Sequence, residues 1–272
     1  MNLVERKMVG LLHDLREKHH VLGVKAEFEA EGTRMEEALR LKDVVDAAGL
    51  ELTVKIGGCE ALKDMYEARV IGVRRIVAPM VESPYALKKF LEAFRLAFPA
   101  EERQEVVAAV NIETKLSADN FDEMLKVPGI KDLNGVVLGR VDMCGSLGLT
   151  REDINGPVAM GIARDVFIKA KKAGLVCAIG GGVSADSLHV LRELPRGHLD
   201  YYETRKVIFG CPASLGEDAP RGILKAVELE LLWLKNKREY YGMIFAEDKT
   251  RIEMLEKRYR KMMDAQGISV PV

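Results

Sequence analysis

The sequence predicts a parallel β/α barrel, and three observations predict it. Apolar strand-like runs alternate with amphipathic helix-like runs over roughly two hundred residues, which is the pattern of a parallel sheet. Helix-like runs end on Gly49, Gly72 and Gly174, where left-handed caps belong. Two strand-like runs, EVVAAVNIETKL and LNGVVLGRVDMCGSLG, each turn polar and end on a carboxylate. By the strand period of two, Val107, Ala109, Asn111 and Glu113 share one face, and Val106, Ala108, Val110 and Ile112 the other. The second run sorts Leu138, Arg140 and Asp142 against Val137, Gly139 and Val141. In a barrel the outward face packs on helices and the inward face opens at the strand C-termini into a site. Glu113 and Asp142 are therefore expected to converge there. Such a pair can hold Mg²⁺ or Mn²⁺ with positions left open to substrate.

Taken in order, residues 2 to 20 read as an amphipathic helix, with Leu3, Val4, Met8, Leu11, Leu12 and Leu15 on one side. VLGVKAEFEAEG alternates cleanly, placing Lys25, Glu27 and Glu29 on one face. The helix TRMEEALRLKDVVDAAG follows, with Thr33 and Glu36 as a capping box, so a βα unit is expected. The unit repeats. ELTVKIGG precedes CEALKDMYEARVIG, and RRIVAPM precedes SPYALKKFLEAFRLAF, which Ser83 and Pro84 open. EVVAAVNIET leads to SADNFDEMLKV, and GVVLGRVD leads through a long loop to PVAMGIARDVFIKAKKAG. LVCAIGGG leads to SADSLHVLREL, and LDYYETRKVIF closes the series. Seven strands are clear. The eighth is atypical or missing, with the N-terminal segment and YYGMIF (residues 240–245) as candidates. Residues 219–265 read as two charged helices, with Leu232 and Trp233 as docking residues. The expected organisation is one domain over 1–272: a barrel core at 21–210 and a C-terminal helical extension at 219–265.

Composition narrows the function classes. A chain that is 48% hydrophobic and 31% charged, with a formal net charge of -1, has the make-up of an ordinary globular protein. It carries no electrostatic footprint for nucleic acid or an anionic membrane. Cys59, Cys144, Cys177 and Cys211 lack the spacing of a zinc site or a disulfide framework, which fits a reducing cytoplasm. The N-terminus has no long apolar core, so neither a signal peptide nor a membrane span is expected.

Three stretches then carry a resemblance. VKIGGCEALKDMYEARVIGVRRIVAPMVESPYALKKFLEA, NIET and LGRVDMCGSLG, in this order and spacing, resemble the HpcH/HpaI aldolase and citrate lyase β-subunit family. The last two resemble that family's metal-binding "IET" strand end and its "GPxDLSxxLG" loop. The likeness covers roughly residues 21 to 210. It implies a TIM-type barrel, with Mg²⁺ or another divalent cation such as Mn²⁺ or Co²⁺ held by Glu113 and Asp142. It also implies carbon–carbon cleavage or formation through the enolate of a 2-oxo acid such as pyruvate, or of an acyl thioester. The sequence departs from the pattern in three places. Lys55 stands where the family aldolases place a carboxylate-gripping Arg, and a lysine cannot make the bidentate contact. AEFEAEG lacks the family's Glu-His pair, and the proline of the loop is Arg140.

Each candidate has more than one reading. Lys55 is a clamp for a substrate anion, a Schiff-base nucleophile or a counter-ion. Glu27 is a catalytic carboxylate or part of a buried ion-pair layer with Lys25 and Glu29. Gly180, Gly181 and Gly182 either cradle a substrate anion or make a tight turn. Gly139 and Arg140 are expected to line the substrate, and Glu203 and Arg205 to form an ion pair. Cys144 stands beside the metal loop, and no histidine falls at a strand end. With no histidine available, the base is metal-bound water, Glu27 or a group of the substrate. The expected enzyme is a metal-dependent lyase or synthase acting on a small anionic molecule. It is expected to be a cytoplasmic homo-oligomer whose C-terminal helices exchange between neighbours. The alternatives are a non-catalytic metabolite-binding barrel and a related reaction on a phosphorylated substrate.

Overall fold

The computed structural model describes residues 1–267. Helix α1 (Leu3–His19) comes first, capped by Asn2, whose side chain accepts from the Glu5 N–H. Its apolar stripe of Met8, Leu12 and Leu15 is buried. Eight strands then close into one barrel in sequence order. They are β1 (Val21–Glu27), β2 (Glu51–Lys55), β3 (Arg75–Ala78), β4 (Val107–Ile112), β5 (Gly135–Gly139), β6 (Val176–Gly180), β7 (Tyr201–Glu203) and β8 (Val207–Gly210). The connections carry α2 (Met35–Ala47), α3 (Leu62–Ile71), α4 (Pro84–Ala97), α5 (Ala100–Arg103), α6 (Lys115–Asp119), α7 (Phe121–Met124), α8 (Arg140–Ser146), α9 (Pro157–Lys172) and α10 (Leu188–Arg192). Helix α11 (Ala219–Ala265) follows β8.

Most of the expected punctuation holds. Gly49, Gly72 and Gly174 have φ of 66°, 76° and 76°, the left-handed backbone that lets a helix stop in one residue. Ser83 caps α4 by accepting from the Ala86 N–H at 3.1 Å. Helix α2 starts later than Thr33 and Glu36 suggested: Arg34 is the cap residue, and the Glu37 carboxylate reaches back to its N–H at 3.3 Å.

The eighth strand lies in neither expected place. The N-terminal segment is α1, and residues 240–245 lie inside α11. The stretch LDYYETRKVIF divides instead into β7 and β8, an antiparallel hairpin. Its turn is closed by the Thr204 N–H to the Val207 carbonyl (3.0 Å) and the Val207 N–H to the Thr204 hydroxyl (3.1 Å). Strand β8 also pairs antiparallel with β1, which closes the barrel. The polar run Thr204-Arg205-Lys206 separates the two apolar runs and turns at the strand C-terminal end of the barrel, so charged residues are delivered there.

Strand faces divide as a barrel requires. Val24, Ala26, Leu52, Val54, Ile76, Ala108, Val110, Leu138, Cys177 and Ile179 are fully buried on the outer face. Inside, Val77, Ala109, Val137 and Ala178 pack with Tyr201 into an apolar plug. Polar residues occupy the interior beyond this plug, toward the strand C-termini.

The chain divides into two compact units, Met1–Glu230 and Leu231–Val272. The first holds the whole barrel. The second contains the distal part of α11, from Leu231 to Ala265, and α11 is one helix and not the two expected. Among the described residues, no helix is long and apolar enough to cross a membrane.

Candidate active site

Glu113 follows the last residue of β4 and is 1% exposed. Its carboxylate accepts the Met80 N–H at Oε1 (2.9 Å) and the Asn111 side-chain amide at Oε2 (2.6 Å). Lys55 Nζ, at the end of β2, lies 3.7 Å from Oε2. Burial pushes the Glu113 carboxyl above the ordinary range, although Lys55 and both hydrogen bonds pull the other way. The Asp142 charge adds to the upward push. Asp142 itself is exposed.

Two supports of Glu113 escaped the sequence reading. Met80 has φ of 49°, uncommon for a residue with a side chain, and its N–H points at the carboxylate. Nothing in the local sequence signals this. Asn111 was placed on the correct face by the period of two, but its role follows only from the bond to Glu113. Its Oδ1 is buried without a partner.

Asp142 arrives by an unexpected route. Strand β5 ends at Gly139, and Arg140 begins α8, so alternation stops there. Val137 and Gly139 face inward and Leu138 outward, the reverse of the expected sorting. The first turn of α8, rather than a strand, carries Asp142 toward Glu113. Gly139 contributes by lacking a side chain: a Cβ there would lie 2.6 Å from Glu113 Oε2 and 2.8 Å from its Cβ.

Arg140 was expected to line the substrate, and the structure places it elsewhere. It is fully buried, with Nε donating to the Gly180 carbonyl (3.1 Å) and its two terminal nitrogens to Asn155 Oδ1 (2.6 Å) and Ser187 Oγ (3.3 Å). It ties β6 to the turns that follow β5 and β6, and burial brings its guanidinium down to about 10. Gly181 and Gly182, expected as an anion cradle, form a turn with φ of 78° and 72°. A Cβ on Gly181 would meet the backbone nitrogens of Arg140 and Val141 at 2.6 and 2.7 Å. These glycines serve the close approach of β6 to α8. Cys144 is buried and packs with Ile154 and Ala159.

A layer of paired charges lines the rest of the mouth. Lys25 Nζ contacts Glu203 (2.6 Å) and Glu27 (3.1 Å). Glu27 also meets Arg205 (3.5 Å), and Arg205 meets Glu31 (3.3 Å), which also pairs with Lys206. The expected Glu203–Arg205 pair is thus exchanged for two cross-strand pairs. Burial alone would raise the Glu27 carboxyl, but Lys25 and Arg205 outweigh it and hold the group below the ordinary range. The raised proton affinity that a carboxylate base needs is absent. Lys55 completes the layer through Glu29 at 3.3 Å. The mouth therefore brings together Glu113, Asp142, Lys55 and Glu27, and leaves out Arg140.

The family model for HpcH/HpaI aldolase/citrate lyase matches residues 25–189, more than half of the chain. Solved structures share the fold at low identity. An HpcH/HpaI aldolase from Desulfitobacterium hafniense DCB-2 is 16% identical with a TM-score of 0.59, covering 75% of this chain and 83% of its own. An HpcH/HpaI aldolase/citrate lyase family protein from Burkholderia cenocepacia J2315 is 18% identical with a TM-score of 0.57, covering 84% and 92%. A citrate synthase variant is 15% identical with a TM-score of 0.56, covering 85% and 90%. No curated protein matches the chain. The sequence match, on a barrel whose mouth carries the two motif carboxylates, makes this chain a member of the HpcH/HpaI aldolase/citrate lyase family, an aldolase- and lyase-type β/α barrel.

Proposed function

We propose that the protein is a divalent-metal-dependent carbon–carbon lyase or aldolase, or a synthase in the reverse direction. It acts through the enolate of a 2-oxo acid such as pyruvate. The observation that carries this reading is the cluster of Glu113, Asp142 and Lys55. A buried carboxylate with raised proton affinity lies 3.7 Å from one ammonium group and feels the charge of an exposed carboxylate on the first turn of α8. The donor set is carboxylate oxygen, which suits Mg²⁺, Mn²⁺ or Co²⁺. Asn111 Oδ1 adds a buried acceptor that lacks a partner. Among the described residues no group of three or more His, Cys, Asp or Glu side chains gathers into a metal site, so Glu113 and Asp142 would hold the cation as a pair. The remaining positions are left to substrate and solvent.

Glu113 and Asp142 would hold the cation, which supplies Lewis-acid stabilisation of the enolate when bound. The Met80 N–H and the Asn111 amide fix the Glu113 carboxylate, so little reorganisation remains when charge develops. Lys55 Nζ provides positive charge for an anionic small molecule at the same edge of the mouth. As a point charge it holds an anion without setting its plane, and a substrate differing from that of the arginine-bearing relatives is expected. Glu27 remains ionised and orients Lys25 and Arg205, so water or a substrate group takes the proton, from the 4-hydroxyl in cleavage or from the methyl carbon of the 2-oxo acid in synthesis. The protein acts without nucleic acid or membrane.

Mn²⁺ calorimetry tests the reading. Glu113→Gln and Asp142→Asn should each weaken Mn²⁺ affinity at least tenfold, with unchanged melting curves. Pyruvate release from 4-hydroxy-2-oxo acids should fall in parallel. Unchanged Mn²⁺ affinity in both variants would overturn the site assignment.

A further inference from the structure

The opposite end of the barrel carries a cavity that the chemistry at the mouth does not use. Its volume is about 690 Å³, within the range of small-molecule sites. It lies where β3, β4, β5, β6 and β7 begin, with Arg75, Val107, Gly135, Val176 and Tyr201 in its wall. The connections entering β5 and β6 complete it with Leu133, Leu175 and Lys131. Its floor is the apolar plug inside the barrel.

The charges here are unlike those of the mouth. The Arg75 guanidinium sits 4.7 Å from the centre of the Tyr201 ring. Its Nε is buried and makes no hydrogen bond. Among the described residues Arg75 pairs with no carboxylate, and neither does Lys131. No Asp or Glu lines the cavity, although the chain holds 42 of them. The neighbouring groove between α2, α3 and α5 is different: its Arg69 and Arg74 are each satisfied, by Glu102 and Glu105. A desolvated donor left without an acceptor is costly, and most buried polar groups in native structures have a partner.

We propose that this cavity binds a small carboxylate with an apolar body. The carboxylate accepts from Arg75, and the body lies against Val107, Leu133 and Tyr201. A guanidinium presents a planar fork that matches a carboxylate. The single inner cation and the apolar walls suit a monoanion better than a phosphate dianion, which would need further donors. The site is distinct from the mouth, since Arg75 and Tyr201 stand at strand starts and Glu113 and Lys55 at strand ends.

Calorimetry with phenylacetate and its neutral isostere phenylacetamide tests this. The acid should bind the wild-type protein, and the amide at least tenfold more weakly. Arg75→Met should weaken phenylacetate binding at least tenfold, Arg75→Lys should retain part of it, and Lys55→Ala should leave it unchanged. Equal binding of acid and amide overturns the proposal. So does binding that survives Arg75→Met, or binding lost in Lys55→Ala, which would place the acid at the mouth. Absence of binding to the wild type up to the solubility limit has the same force. The acid–amide and Lys55→Ala comparisons do not use Arg75→Met, so they decide the matter even if that variant fails to fold.

Discussion

Glu27 and Glu113 are two buried glutamates at one barrel mouth, and their surroundings drive them apart. Lys25 and Arg205 stabilise the ionised form of Glu27, whereas burial dominates at Glu113. A pair of carboxylates with opposed tendencies commonly has divided roles. Here the ion-paired member is the structural one. Glu27→Gln removes a charge from a layer in which Lys25 still has Glu203. It should cost about 1–3 kcal/mol of stability, the range for leaving a buried group under-satisfied. Pyruvate release should stay within about tenfold of wild type, since one proton-transfer role contributes at least 10²-fold. Melting curves and turnover together check this. A loss beyond a hundredfold with unchanged stability would return Glu27 to proton transfer.

At the scale of elements, the β7–β8 hairpin and helix α8 build the mouth, and α1 secures the barrel from outside. The hairpin turns at the mouth and brings Arg205 and Lys206 against Glu27 and Glu31. Helix α1 is tied to the start of α11 through Asp14, which meets Lys18 at 2.6 Å and also pairs with Lys225. Hydrogen bonds from Lys18 and then Lys225 hold the Asp14 carboxyl at about 2, down from the ordinary 3.8. Because the folded value is depressed, the stabilisation is fully present above pH 3.8 and is lost as pH falls through about 2. Asp14→Asn should therefore lower Tm at neutral pH by about 1–3 °C, the scale for a partly exposed ion pair in a chain of this size. The difference from wild type should close as pH approaches 2. A difference that persists unchanged at pH 2 would mean that Asp14 acts through packing.

The whole molecule includes a second unit whose own surface argues for association. Phe245, Ile252, Leu255, Tyr259 and Met262 are all exposed on α11. From Ile252 onward they follow the alternating three- and four-residue spacing of a coiled-coil seam, and Phe245 lies one heptad earlier. We propose that a second copy of this chain covers the seam. Light scattering should then find a homo-oligomer, and a chain ending at Arg238 should give a smaller species that keeps the barrel's circular dichroism. A monomeric full-length chain at micromolar concentration would count against the seam.

The alternation of strand and helix patterns, the glycine stops and the face of β4 were legible in the sequence. Each depends on neighbours a few residues away, and local sterics and period set them. The inward placement of Asn111 and Glu113 follows from that period alone. Tertiary structure decided the rest. Whether LDYYETRKVIF continues or reverses depends on the unpaired edge of β1, which β8 fills. The sorting of Arg140 and Asp142 depended on where β5 gives way to α8, and Gly139 ends the strand under the Glu113 side chain. Arg140 is held in the interior by acceptors at Asn155, Gly180 and Ser187, as far as 47 residues along the chain. The charge state of Glu27 was open because Lys25 and Glu29 act on it with opposite sign. Arg205 reaches it across the barrel closure and, with Lys25, settles the balance. Local pattern specified the inward face of β4, and the long-range closure of the barrel specifies which charges that face meets.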